Sequence, residues 1–411
     1  MRKIFAPLVF IFFGFQIQAQ IDVGLIGYMS FDSCTAKVDA GNSALFAQID
    51  GNPTCECGVS GNALKFDGID DYIEILGSGV SDRFRREDFS ISFYFKPVGA
   101  SGVQTILTKT GTDCSTQGHF AIRYDGGPRF ISVPFVENSN KQASLSRVKV
   151  PAEACWNHVV LIRRSNRTII YINGQYVTEK EAPDRVDLTN AGPLWIGRSY
   201  CSQTDRFFSG LIDELRIYNR ALSEDEISEL YLAPDKILTD NTRIFLGESV
   251  DIDISETCAT NFSWSPATNV ADVNDPETTL SPTTTTTYRL NFTDDQNCTA
   301  FDTINIVVID PTTLDCEEVF LPKAFTPNGD GLNEEYGISN PEIFNVGDGT
   351  FGGLDIFDRW GNLVFSTTDP NETWDGRYKG EFLNPGVLLY KVRYECNGEE
   401  FIDAGSLTLI R

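Results

Sequence analysis

The chain has 411 residues, of which 58 are Asp or Glu and 33 are Lys or Arg, so its formal net charge is -25. A length of this order predicts about two to four domains of roughly 100 to 200 residues each. The charge argues against nucleic acid as a partner, because the phosphate backbone would be repelled. An acidic surface also serves solubility in exported proteins.

The N-terminal residues have the composition of a secretory signal. Arg2 and Lys3 supply positive charge, residues 4–15 are apolar, and Ala19 is a small residue near the polar end of the segment. The apolar stretch is shorter than the roughly 20 residues that a membrane-spanning helix requires. We therefore expect residues 1–20 to be a cleaved signal peptide, and we expect no integral membrane segment in the mature chain.

Residues 21–235 are predicted to form an all-β domain. Residues alternate with period two over the segment 88–95, which predicts a strand with one buried face. The side chains on that face are Phe89, Ile91, Phe93 and Phe95. Residues 158–164 and 167–172 predict a further strand pair, so a meander of hairpins follows.

One short helix is predicted near the end of this region. Ser223 and Glu226 have the spacing of a capping box, in which each satisfies a backbone N–H near the start of a helix. Ile227, Leu230 and Tyr231 then fall on one helical face. The helix should therefore close the domain by packing this face against the strands.

Five segments occur here in an order that resembles a known family. They are ALKFDGIDDYIEI (63–75), FSISFYFKP (89–97), CWNHVVLIRRSNRTIIYINGQYV (155–177), LWIGRS (194–199) and FSGLIDELRIYNRALSEDEI (208–227). Together they resemble the laminin-G-like, concanavalin A-like jelly-roll family. The resemblance implies two packed antiparallel sheets and, in bacterial members, glycan binding or a position beside glycan-active domains. Fold alone does not establish function.

The sequence offers little for catalysis in this domain. Glycosidases of this architecture resemble one another in a Glu-x-Asp-x-x-Glu strand, and no glutamate of this chain has an aspartate two positions on. The chain has only two histidines, and serine catalysis requires one as a base. His158 introduces a buried strand, where we expect packing, and His119 lies at a strand entry, where we expect a surface position. We therefore predict no catalytic residues.

The family resemblance points to a calcium site. Laminin-G-like domains place loop carboxylates at positions that match five aspartates of this chain: Asp32, Asp67, Asp70, Asp71 and Asp213. The segment 67–71 is dense in hard oxygen ligands, which calcium prefers. The alternative is that Asp-Gly and Asp-Asp only form a hairpin loop. Both interpretations stay open from the sequence.

Four aromatic side chains near predicted loop ends are candidates for sugar contact, because aromatic rings stack on sugar faces. They are Tyr124, Trp195, Tyr200 and Phe207. For Trp195 and Phe207 the sequence favours core packing instead. The ligand-binding residues are therefore not assigned from the sequence.

Residues 236–312 resemble the small immunoglobulin-like or PKD-like sandwiches of Bacteroidota surface proteins. Trp264 follows Cys258 closely, and a buried tryptophan near a disulfide is a feature of such folds. We expect this region to be a spacer that projects the first domain.

Residues 313–411 contain three segments in a characteristic order: FLPKAFTPNGDGLNEEYGI (320–338), LDIFDRWGNLVF (354–365) and TWDGRYKGEFLNPGVLLYKVRYECNG (373–398). They resemble the gliding-motility-associated C-terminal domain of Bacteroidota. This resemblance implies a small β-sandwich sorting domain that addresses its carrier to the type IX secretion system. An Asn397-Gly398 hairpin turn is predicted between its last strands.

The loop 327–334 carries oxygen ligands that could hold calcium, namely Asn328, Asp330, Asn333 and Glu334. Their spacing does not match a twelve-residue EF-hand loop, so a turn is favoured.

Ten cysteines in an exported chain predict disulfides. The middle and C-terminal regions hold two each, which predicts the pairs Cys258–Cys298 and Cys316–Cys396. Loop positions suggest Cys114–Cys201. The partners of Cys34, Cys55, Cys57 and Cys155 stay open, although we expect pairing within domains.

These features predict a secreted or cell-surface protein, exported by the type IX machinery. We expect it to be non-enzymatic and adhesin-like, with a first domain that binds a glycan or glycoprotein, and calcium as the one candidate cofactor. The alternatives are a glycan-degrading enzyme of the jelly-roll class and a structural component of the cell surface.

Overall fold

A computed structural model describes residues 21–41, 45–76, 84–99, 102–111, 118–152, 154–199, 205–310, 313–317, 319–328, 333–345 and 349–410. The predicted signal peptide lies outside these residues. The described chain forms two compact units: the first comprises the described residues up to 240 together with 251–280 and 287–304, and the second comprises the other described residues. Among the described helices, none is both long and apolar enough to cross a membrane.

The N-terminal region is built of strands, as predicted. Their bounds are β1 (Leu25–Met29), β2 (Ala40–Gly41), β3 (Phe46–Asp50), β4 (Thr54–Cys57), β5 (Asn62–Asp67), β6 (Tyr72–Leu76), β7 (Phe89–Pro97), β8 (Val103–Lys109), β9 (His119–Asp125), β10 (Phe130–Val133), β11 (Phe135–Asn138), β12 (Lys141–Gln142), β13 (Leu145–Lys149), β14 (Asn157–Arg164), β15 (Arg167–Ile172), β16 (Gln175–Glu181), β17 (Leu194–Ile196), β18 (Arg206–Phe207) and β19 (Ser209–Tyr218).

These strands form two sheets. The first sheet has the order β16-β15-β14-β7-β19-β1-β2, with β5 also paired to β19 and β4 to β5. The second sheet has the order β12-β11-β9-β8-β17-β6-β3, with β10, β13 and β18 attached. Buried side chains of both sheets form one continuous apolar core, so the domain is a sandwich.

Strand β7 is buried on both faces. Phe89, Ile91, Phe93 and Phe95 belong to the core between the sheets, which confirms the predicted face. The outward residues Ser90, Ser92, Tyr94 and Lys96 are buried as well. Alternation along a strand predicts only that its two faces differ. The burial of the outward face of β7 could therefore not be predicted from this segment alone.

Helix α1 (Glu224–Leu230) provides part of that cover. Ser223 caps it, and the reciprocal bonds of the capping box with Glu226 are both present. Ile227 and Leu230 are buried against Val160 and Ile162 on the outer side of β14. The predicted helix and the positions of Ile227 and Leu230 on its buried face are therefore confirmed, whereas Tyr231 is an extended C-cap residue beyond the end of the helix.

The middle region contains β20 (Thr242–Phe245), β21 (Val250–Asp251), β22 (Ala259–Ser265), β23 (Thr279–Leu280), β24 (Thr286–Asp294) and β25 (Thr299–Ile309). In the first unit, β22 pairs antiparallel with β24. Trp264 of β22 is buried and donates its indole N–H to the carbonyl of Asp275 at 2.9 Å. In the second unit, β20 pairs in parallel with β25.

The disulfides differ from the prediction. Cys57 is joined to Cys258, and Cys155 is joined to Cys298, across sequence separations of 201 and 143 residues. The predicted pair Cys258–Cys298 is therefore wrong, and so is the rule that pairing stays within domains. The physical reason is proximity: the Cα atoms of these partners lie 5.8 and 5.9 Å apart, within disulfide reach.

Two further disulfides are present among the described cysteines. Cys34 pairs with Cys55, and Cys316 pairs with Cys396 as the sequence predicted. The pair Cys114–Cys201 lies outside the described residues.

A buried ion pair accompanies the two long-range disulfides. Lys96 Nζ bonds a carboxylate oxygen of Asp294, and the two side chains are 4% and 9% exposed. The other oxygen of Asp294 accepts from the backbone N–H groups of Gln296 and Cys298, each at 2.9 Å. These contacts hold residues 251–280 and 287–304 firmly in the first unit. We had expected the middle region to be a spacer that projects the first domain. Because this part packs into the first unit, it is not a simple projecting spacer.

The C-terminal region belongs to the second unit. It contains β26 (Ala324–Phe325), α2 (Glu342–Asn345), β27 (Thr350–Phe357), β28 (Leu363–Thr367), β29 (Arg377–Tyr378), β30 (Glu381–Phe382), β31 (Gly386–Cys396) and β32 (Glu399–Leu409). The main sheet has the order β26-β32-β31-β27-β28. Asn397 and Gly398 form the predicted turn, with positive φ angles of 52° and 82°.

The buried ion pair yields a stability prediction. We expect Lys96→Met to lower the free energy of unfolding by about 3 to 5 kcal/mol, because Asp294 is left as a buried charge without its partner. Lys65→Met is the matched control: it breaks the half-exposed pair with Glu56, where about 0 to 1 kcal/mol is expected. Denaturant unfolding without reductant measures both, and equal losses for the two variants would contradict the assignment.

Candidate functional site

Three of the five candidate calcium ligands converge in the turn between β5 and β6. One carboxylate oxygen from each of Asp67, Asp70 and Asp71 lies within 4.8 Å of the others. Asp71 is buried, whereas Asp67 and Asp70 are exposed. The chain reverses here at Gly68, whose φ of +80° favours glycine.

Backbone N–H groups organise this acidic loop. One oxygen of Asp71 accepts from Asn52 N at 2.7 Å, and the other accepts from Asp67 N at 2.9 Å. Asp67 accepts from Ile69 N at 2.7 Å, and this bond holds the pKa of Asp67 below its usual value. Each carboxylate oxygen has a second lone pair, so these bonds do not preclude a cation. The loop is thus a formed turn with clustered hard ligands.

The other two candidate ligands lie outside this group. Asp32 is exposed and accepts from Asn62 N at 3.0 Å. Asp213 is fully buried and accepts from Val59 N at 2.8 Å and from Glu214 N at 2.9 Å. The five predicted positions therefore divide into a loop cluster and two separate carboxylates.

Directly after the acidic loop, Tyr72 forms a cluster with Arg198 and Phe207, in which the guanidinium lies over both aromatic rings. The Arg198 guanidinium lies 4.4 Å from the Tyr72 ring centroid and 5.5 Å from that of Phe207. All three side chains are partly exposed. Burial and a hydrogen bond to Asp50 raise the pKa of Tyr72, so its hydroxyl stays protonated and donates to the Asp50 carboxylate.

A glycine brings this cluster next to the acidic loop. Gly197 has a φ of +89°, and a Cβ there would lie 3.0 Å from the carbonyl oxygen of Asp71 and 2.9 Å from the ring of Phe66. Only glycine allows β17 to end so close to the loop. Arg198 is the next residue, so the cluster adjoins the backbone of the acidic loop.

The sequence candidates for sugar contact fare differently. Tyr124 and Trp195 are each 2% exposed, so neither ring presents a face to a ligand. Tyr200 lies outside the described residues. Phe207 belongs to the cluster with Tyr72 and Arg198, which the sequence analysis did not single out. Tyr72 and Arg198 both lie in segments that carry the family resemblance, Tyr72 directly after the Asp-Asp pair and Arg198 in LWIGRS. Their positions in these segments are the signal that could have identified them.

The second sheet extends the site with a row of paired residues. Gln48, Glu74, Trp195 and Thr108 are successive Cα partners across β3, β6, β17 and β8, so their side chains share one face. Gln48 is exposed and Glu74 is partly exposed. At the other end of the row, Trp195 and Thr108 are buried. The accessible part of the row therefore lies on β3 and β6.

The two histidines are placed as the sequence suggested. His158 is 1% exposed, bonds Ser92 Oγ at 2.8 Å and stacks on Tyr94 with ring centroids 4.5 Å apart. Burial lowers the pKa of His158 to about 3, so it is neutral in ordinary buffers. His119 is partly exposed at the start of β9. His158 therefore packs inside the domain and cannot reach a substrate.

Comparison with known proteins agrees with this architecture. Residues 67–228 match the model of the concanavalin A-like lectin/glucanases superfamily. Residues 319–409 match the model of the CHU_C type IX secretion signal domain. The chain therefore carries both domains, which confirms the two resemblances seen in the sequence. A search of curated proteins found no match.

Several solved structures are similar at low identity. Domain 4 of AbnA, a GH43 extracellular arabinanase from Geobacillus stearothermophilus, in complex with arabinotriose, is 20% identical, covers 50% of this chain and 98% of its own, and has a TM-score of 0.39. The CBM40 of the Ruminococcus gnavus IT-sialidase bound to alpha2,3 sialyllactose is 16% identical over 37% of this chain and 87% of its own, with a TM-score of 0.33. The binding domain of Paraclostridial Mosquitocidal Protein 1 is 14% identical over 95% and 92%, with a TM-score of 0.44.

The buried carboxyl Asp213 gives a pH prediction. Burial, and then the neighbouring Glu214 charge, raise the pKa of Asp213 to about 8. A raised carboxyl pKa stabilises the fold below the unfolded pKa of roughly 4, and this stability is lost as pH rises through 8. We therefore expect the free energy of unfolding of the native protein to fall, relative to that of Asp213→Asn, between pH 5 and pH 9.

Denaturant unfolding of both proteins at several pH values measures this relative loss of stability. Asp32→Asn is the control, because it removes an exposed charge near the same strands. Parallel pH profiles for the native protein and Asp213→Asn would refute the assignment.

Proposed function

We propose that this chain is an exported, adhesin-like protein whose first domain binds a glycan or glycoprotein without cleaving it. The observation that carries the proposal is the Tyr72–Arg198–Phe207 cluster beside the acidic loop. The type IX secretion signal domain supports export to the cell surface or the medium, and the lectin/glucanase domain supports carbohydrate as the ligand.

The cluster has the chemistry of a sugar site. Aromatic rings pack against the apolar faces of sugars, and partly exposed rings can do so without rearrangement. A guanidinium offers several N–H donors in a fixed plane to hydroxyl or carboxylate oxygens. Because Arg198 is held between Tyr72 and Phe207, little rotamer entropy is lost when it bonds a ligand.

Calcium is proposed as an aid to binding at the acidic loop. Asp67, Asp70 and Asp71 supply clustered carboxylate oxygens, and calcium completes its shell with carbonyls, waters or sugar hydroxyls. A cation there would orient a sugar next to Tyr72 and offset the negative charge of the loop. Asp32 and Asp213 are left out of this proposal, because their bonds place them apart from the group.

Binding is favoured over hydrolysis by the state of the titratable groups. Asp213 has a pKa of about 8, suitable for an acid, but it is fully buried among backbone donors. His158 is likewise buried and neutral. A general acid must reach the glycosidic oxygen, and neither group meets that requirement.

The site prediction concerns Arg198. We expect Arg198→Ala to weaken binding to a recognised polysaccharide about tenfold or more, which corresponds to about 1.4 kcal/mol or more for a stacked, hydrogen-bonding side chain. Arg167→Ala, at the exposed start of β15, is the matched control and should bind normally. Calorimetry against a polysaccharide panel measures the affinities. Release of reducing ends from the bound polysaccharide would instead favour the glycan-degrading enzyme.

The calcium prediction uses a chelator. Affinity should fall when EDTA is added and return with excess calcium, if the acidic loop holds the ion. Asp70→Asn should abolish this response while leaving the turn intact, since the hydrogen bonds of the turn run through Asp67 and Asp71. Affinity that is indifferent to EDTA in the native protein would establish the loop as a turn only.

A further inference from the structure

The sorting domain contains an open pocket of about 640 Å³. One wall consists of Pro327, Glu334 and Glu335, and the other of Asp375, Arg377 and Phe382. These walls come from the first and third of the three C-terminal segments that identified the domain by sequence. The two segments are distant along the chain and meet at this pocket.

The two walls are held together by the core of the domain. Tyr336 and Trp374 exchange backbone hydrogen bonds of 2.9 and 2.8 Å, and both side chains are buried. The indole N–H of Trp374 also donates to the carbonyl of Arg377 at 2.7 Å. Thr373 bonds the carboxylate of Glu335. The pocket is therefore a fixed feature of the folded domain.

The lining combines negative charge with an exposed ring. Glu334, Glu335 and Asp375 contribute three carboxylates, against the single guanidinium of Arg377, which lies 3.3 Å from Asp375. Arg377 also covers the ring of Phe382 at 4.0 Å, and Phe382 remains 46% exposed. Charge complementarity favours a basic group, and the ring favours an apolar neighbour.

We infer that this pocket is the surface through which the type IX secretion machinery recognises the domain. The occupant is a segment of a secretion component that presents a Lys or Arg beside an apolar side chain. This inference rests on the export that we proposed above. A sorting signal must be recognised on the surface of the folded domain. Here the first and third C-terminal segments both contribute side chains to one surface pocket.

A second exposed surface of the domain supplies the controls. On the outer face of the main sheet, Val387, Leu389 and Ile402 are 48% to 64% exposed. Their register places Leu389 on β31 opposite Ser406, on the side away from the core. This face carries the charged Lys391 and Arg393 as well as the apolar side chains, and it is the competing candidate for recognition.

The test is a secretion assay with the full chain in the cell that makes it. Phe382→Ser and Glu334→Lys should each lower the extracellular protein at least tenfold and raise the periplasmic pool. Leu389→Ser and Glu400→Lys, matched in chemistry on exposed positions of β31 and β32, should be exported normally. Thermal unfolding and glycan binding of the purified variants should equal those of the native protein.

Three outcomes would overturn the inference. Native-level export of both pocket variants would remove the pocket from recognition, and loss of export with Leu389→Ser alone would assign recognition to the sheet face. Truncation before Leu314 separates this inference from the proposed export. If the truncated chain is retained while the pocket variants are exported, only the pocket inference fails; if the truncated chain itself is exported, the proposed export fails too.

Discussion

The Cys57–Cys258 and Cys155–Cys298 disulfides, with the buried Lys96–Asp294 pair beside them, are the constraint on which the first unit depends. They fix residues from the middle region beside Lys96 on the outer side of the first sheet. Tyr94 and His158 on the same side are buried against residues 230–232. An isolated sheet would expose these side chains. The candidate site lies elsewhere in the domain, at the β5–β6 turn and the neighbouring edge of the second sheet.

The Cys57–Cys258 disulfide, together with Cys34–Cys55, supports the candidate site through β4 and β5. Cys55 and Cys57 anchor β4, and β4 pairs in register with β5 from Thr54 to Cys57. Strand β5 ends in the acidic loop, and the loop leads into Tyr72. A site held in this way loses little conformational entropy when a ligand binds. The crosslinks therefore fix the strands beneath the proposed binding site, for which we propose Tyr72, Arg198 and Phe207 as the ligand contacts.

Local features of this fold could be predicted from the sequence, and long-range partners could not. The buried face of β7, the capping box at Ser223 and the Asn397-Gly398 turn each depend on residues close in the chain. The partner of Cys258 depends instead on how two regions pack, and counting cysteines by region gave the wrong pair. The site shows the same division: the loop 67–71 was evident, but Arg198 reaches Tyr72 only because β17 and β6 are neighbours.

The central claim is that the first domain binds a glycan at the acidic loop and the Tyr72–Arg198–Phe207 cluster. Hydrogen–deuterium exchange on the secreted protein, with and without the best ligand from a glycan array, tests it most directly. The account predicts ligand-dependent protection in peptides that cover residues 67–72, 197–199 and 205–209. Protection confined to other parts of the chain, or an array on which no glycan is bound, would contradict it.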